Sequence, residues 1–122
     1  MELRRFERLV QDIFEQLPDE IHDRLENVEI IVLPRPTREQ RKEAGLGAGQ
    51  TLLGFYQGVP LTVRGGHYHM ALPDRIFVYA EPHLRKAPDA NVLRENVRRT
   101  LLHEIAHYFG IEEDRLAELD FS

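Results

Sequence analysis

Apolar residues along this chain fall into two periodic patterns. Leu3, Phe6, Val10, Ile13 and Leu17 recur at three- and four-residue steps, which puts them on one side of an α-helix ending near Pro18. Leu9 and Phe14 widen that stripe. The run Val28 to Leu33 (VEIIVL) is β-branched and is stopped by Pro34 and Pro36, the pattern of a short strand. Ala44 to Gln50, with glycine at 45, 47 and 49, predicts a loop. Leu52 to Tyr56 and Leu61 to Arg64 then predict two strands around a turn at Gly58 and Pro60, and Arg75 to Tyr79 a further strand after Pro73-Asp74. A long helix follows Pro88, with Asp89 as its N-cap, Phe109 near its end and Gly110 at the left-handed closing position. A last short helix is expected at about Glu113 to Leu119. The order helix, strands, helix is α+β, with one sheet covered by helices on one face.

At 122 residues this is one domain by size, 1–122. With no cysteine in it, thiolate metal sites and cysteine nucleophiles are excluded, so a metal would need histidine and carboxylate. The N-terminal MELRRFERLVQDIFEQL breaks every apolar run with charge, unlike a signal peptide or a membrane span. A cytoplasmic protein without a membrane partner is expected. The formal net charge of −5 argues against nucleic acid as a partner. Arg38, Arg41 and Lys42 are interleaved with Glu39 and Glu43, as on a solvated helix face. The glycines of the 44–50 loop do not join a strand to a helix and are not followed by Gly-Lys-Ser/Thr, which argues against a nucleotide site.

The chemistry lies in His103-Glu104-Ile105-Ala106-His107, an H-E-x-x-H late in the long helix. At about 100° per residue, positions four apart stand one turn above each other, so both imidazoles can address one Zn2+. Glu104 lies about 60° from His107 on the wheel, within reach of a zinc-activated water without being a ligand. Leu101, Leu102, Ile105 and Phe109 occupy the other side, which would pack inward and leave the histidines facing a cleft. Gly110 follows His107 by three residues, and in the extended zinc motif a third ligand comes three residues later. That position is Glu113, with Asp114 as the alternative; a carboxylate is an acceptable third ligand.

The block HEIAHYFGIEEDRLAEL, with LLGFYQGVPLT and LPDRIFVY upstream, closely resembles a family of very small bacterial zincin-like metallopeptidases, formerly a domain of unknown function. The likeness runs from about Leu52 onward. It implies a minimal zincin-like fold, with a small mixed sheet packed on the active-site helix, together with zinc and peptidase activity. It supplies no substrate, and it leaves Glu113 and Asp114 both open, because members carry an acid at each position.

The function expected is peptide-bond hydrolysis by a zinc metallopeptidase, with His103, His107 and Glu113 holding zinc and Glu104 as general base. Its partner would be a peptide or protein substrate, held as an added strand by the region from Leu52–Tyr56 to Arg75–Tyr79. One rival is a small metal-dependent endoribonuclease, which a third histidine in place of Glu113 and the lack of a glutamate at 104 would have favoured. Another is a zinc-binding regulatory module without turnover, which the base Glu104 disfavours. His67 and His69 in GGHYH lack a carboxylate nearby and read as surface or cleft-lining residues. His22 and His83 are given no role. Tyr56, Tyr79 and Tyr108 read more often as half-buried strand and helix residues than as catalytic groups; an oxyanion partner, if the chain supplies one, would come from them or from a GGHYH histidine.

Overall fold

The computed structural model describes residues 1–58 and 73–110. Helix α1, Leu3–Glu15, buries Phe6, Val10 and Ile13, and Leu17 follows them into the core. Leu3, the first member of the periodic stripe, is instead 42% exposed, because the helix only begins there. A short helix α2, Asp19–Arg24, leads into strand β1, Val28–Leu33. Helix α3, Arg38–Glu43, opens with a capping box in which Thr37 and Gln40 satisfy each other's backbone N–H. Its charged residues face solvent and only Gln40 is buried. Strand β2, Gly54–Gln57, and strand β3, Asp74–Tyr79, are followed by α4, Ala80–Lys86, and the long α5, Ala90–Tyr108.

The sheet among the described residues is mixed, in the order β1-β3-β2. Strand β3 is central: it pairs in parallel with β1 (Val28↔Asp74 to Leu33↔Tyr79) and antiparallel with β2 (Gly54↔Val78 to Gln57↔Arg75). Five of its six residues are buried, as expected of a strand flanked on both edges. Ile76 and Val78 point to one face, where they join α1 residues and Leu93, Val97, Leu101 and Ile105 of α5 in one apolar cluster. Phe77 and Tyr79 point to the other, with their rings stacked at 6.4 Å. There Tyr79 donates its hydroxyl hydrogen to Gln40 Oε1, which also receives the Thr37 backbone N–H.

Helix α5 starts where Asp89 accepts a hydrogen bond from Val92 N at 2.9 Å and closes at Gly110, whose φ is +81°. The Gly110 N–H returns to His107 O at 2.9 Å. The far end of α5 is tied to the start of β1 by Tyr108. Its ring is fully buried and its hydroxyl takes the Glu26 N–H at 3.0 Å and donates to Glu26 O at 3.3 Å. The strand expected at Leu61–Arg64, the GGHYH segment and the helix expected at Glu113–Leu119 lie outside the described residues.

Replacing Tyr108 by Phe keeps the packing but leaves Glu26 N–H without that acceptor. The expected cost is about 1–3 kcal/mol of unfolding free energy, measurable as a lower urea midpoint at unchanged m-value.

Candidate metal centre

The last turns of α5 assemble the site. His103 and His107 are half-buried, their ring centroids 4.8 Å apart and their planes at 70°. Glu104 between them is 7% exposed. One donor atom from each of the three lies within 4.8 Å of the others, the only such group of three among the described residues. Two imidazole nitrogens suit Zn2+ as ligands, with the Glu104 carboxylate placed beside them as a base, and the chain offers no thiolate to compete. Glu113 and Asp114, the expected third ligand and its alternative, lie outside the described residues. The helix partition expected from the sequence is present, since Leu101 and Ile105 are buried and Leu102 and Phe109 pack against the core. Burial extends further round the helix than that, to Thr100, Glu104, Ala106 and Tyr108.

Strand β2 forms the roof. An open cleft of about 460 Å³ runs between Thr51–Gly54 and α5, where Asn96, Arg99, Thr100, His103 and Glu104 line it, with Lys86 of α4 at one side. A larger groove, about 600 Å³, lies along the outer face of α1 and holds no histidine. Gly54 sets the height of the roof. A Cβ there would stand 2.5 Å from Thr100 Cγ2, 3.0 Å from Phe77 O and 3.3 Å from Glu104 Cγ. Only a residue without a side chain lets the strand lie this close to the helix.

Behind the cleft, His83 of α4 is fully buried, with Nε2 at 3.0 Å from Thr100 Oγ1. Burial is the main cause that lowers its pKa to about 4, the Lys86 charge adds to it, and the Leu53 backbone pulls weakly the other way. The ring is therefore neutral at physiological pH. Tyr79 is raised well above the usual phenol value, by burial first and by the Glu104 charge second, so it remains a hydrogen-bond donor.

The three tyrosines considered as oxyanion partners have hydroxyls engaged in the fold: Tyr56 with Asp74, Tyr79 with Gln40, Tyr108 with Glu26. His67 and His69 lie outside the described residues. Gly54, Thr100 and His83 were not singled out in the sequence. A readable signal did exist, because Asn96, Thr100, His103 and His107 form a polar stripe at steps of four, three and four on a helix buried on most other sides.

A strand lying over a helix that presents two histidines and a buried glutamate defines the zincin class of metal-dependent hydrolase. A zincin-like metallopeptidase family model matches residues 25–122, and the chain belongs to that family. The match starts well before Leu52 and so takes in β1 and α3. Among solved structures, the chain is similar to a conserved hypothetical protein from T. thermophilus. The two are 26% identical with a TM-score of 0.57, over 98% of this chain and 100% of that one. Comparison with curated proteins gives no match. Among the described residues, no helix is long and apolar enough to cross a membrane.

Gly54→Ala should lower stability by about 1–3 kcal/mol, since Thr100 or the strand must move; thermal unfolding compared with a Gly47→Ala control, where only the Gln50 side chain is within 4 Å, measures it. His83 gives a pH signature. Its folded pKa of about 4 lies below the unfolded 6.5, so its contribution is intact above pH 6.5 and is lost as pH falls towards 4. The loss amounts to about 3 kcal/mol. Urea unfolding of the parent and of His83→Gln across that window should differ in slope, the variant being flatter. Parallel curves would contradict the buried neutral histidine.

Proposed function

We propose that this protein is a zinc-dependent peptidase in which His103 and His107 hold the metal, with a carboxylate from Glu113 as third ligand, and Glu104 is the general base. The observation that carries the reading is the convergence of two imidazoles and one buried carboxylate, of which His103 and Glu104 line the cleft under Gly54. Family membership supports the coarser assignment to metallopeptidases. Zinc, when bound, supplies a Lewis acid that polarises a carbonyl and lowers the pKa of water.

The chain's own residues do the rest. Glu104, with its carboxylate in the cleft and its stem under Gly54, accepts a proton from the attacking water and returns it to the departing amine. Its burial keeps bulk water away from the proton it carries between the two steps. Residues Thr51–Gly54 line the cleft opposite Glu104, and the proposed substrate, a peptide or protein, lies beside them as an extended strand. Thr100 and Gly54 keep strand and helix in contact, which holds the substrate backbone at a fixed height above Glu104.

Zinc-loaded Glu104→Gln should retain metal and fold as the parent does, while cleavage of any peptide the parent cuts falls at least about 10²-fold. His103→Ala should instead lose zinc and, with it, metal-dependent thermal stabilisation. Metal analysis and digestion of a peptide library read by mass spectrometry provide both measurements. Full zinc occupancy in His103→Ala, or undiminished cleavage by Glu104→Gln, would overturn the assignment.

A further inference from the structure

We infer that the cleft selects peptides with acidic side chains two to three residues from the scissile bond, read by Lys86 and Arg99. This rests on the peptidase reading for the word scissile, but the charge asymmetry stands independently of it. Lys86 and Arg99 both line the cleft, and Glu104 is the one carboxylate among its described lining residues. Both cations are exposed, and Arg94 and Arg98 belong to a separate groove against α1. Glu95 pairs with Arg99 at 3.4 Å. That exposed pair is weak and leaves the guanidinium available to a second carboxylate. No ion pair involving Lys86 is present among the described residues, and its charge already reaches His83.

Distance fixes the position that is read. Arg99 precedes His103 by four residues and Asn96 precedes it by seven, about 6 and 10 Å along the helix axis. An extended peptide advances about 3.3 Å per residue, so a substrate running along α5 with its scissile bond over His103 would bring its second or third side chain beside these groups. Asn96 adds an amide between them. Two cationic side chains in the cleft wall attract acidic segments of a substrate to that part of the cleft. The described cleft wall contains no Phe, Tyr or Trp ring on which a base could stack, and its one imidazole, His103, is assigned to the metal, which favours a peptide over a single-stranded nucleic acid.

The test uses two fluorescein-labelled peptides of about ten residues, identical except for an Asp-Glu or an Asn-Gln pair two and three positions from the centre, with the pair placed on either side. Binding to the zinc-loaded Glu104→Gln protein is read by fluorescence anisotropy at low and high salt. The acidic peptide should bind about tenfold more tightly at low salt, as two exposed ion pairs allow. The advantage should shrink at high salt and vanish when Lys86→Gln and Arg99→Gln are combined, exposed changes that leave zinc content and thermal stability as a check on folding. Equal binding of the two peptides, or a preference that survives the double substitution, overturns the inference. Tighter binding of a single-stranded RNA of equal length overturns the peptide assignment. Digestion of the same peptides by the parent separates the two readings. Acidic peptides bound selectively but never cut would end the peptidase reading while the acidic selectivity stands. Cleavage indifferent to the acidic pair would do the reverse.

Discussion

Everything at the site depends on the contact between a strand without a side chain and a helix. Gly54 presses β2 against Thr100 and Glu104 so closely that a methyl group would collide with Thr100. The contact closes the roof of the cleft, places backbone hydrogen-bonding groups above the glutamate, and shields the carboxylate to 7% exposure. Strand β3 holds β2 from the other side through the Gly54↔Val78 pairing. Thr100 in turn is held from behind by His83. The helix alone would present two histidines to solvent. The strand makes His103, with Glu104, part of one wall of a cleft.

The elements legible in the sequence are those whose signal is local. Stripes and β-branched runs were enough for α1, β1, β3 and α5, and the cap residues Asp89 and Gly110 marked the ends of α5 closely. Other elements gave weaker signals. Helix α4 contains Pro82, which is tolerated in a first turn but reads as a breaker, and α2 is only six residues long. Strand β2 begins at Gly54 rather than Leu52, because the residue that starts it is one that propensity scores as a turn.

The site divides the same way. H-E-x-x-H is visible because four residues make about one helical turn, a property of the sequence itself. The roles of Gly54 and His83 depend on what stands opposite them, 46 residues along the chain for Gly54 and Thr100 and 17 for His83 and Thr100, and no local pattern encodes that. Tyr79, Tyr56 and Tyr108 illustrate the converse. Each looked available for chemistry in the sequence, and each hydroxyl is engaged by a partner at a sequence separation of 18 or more.

The bond between Tyr108 and Glu26 spans 82 residues, and β1 meets β3 in parallel across 46, from Val28 to Asp74. Contacts of such span form slowly, because loop closure costs entropy before packing returns it. The histidine pair, by contrast, needs only a helical turn, which forms in under about a microsecond. The alignment of the two imidazoles is thus a local matter, whereas the roof and the shielded carboxylate require the long-range contacts. The cleft and its buried carboxylate therefore depend on the same long-range topology that buries the core.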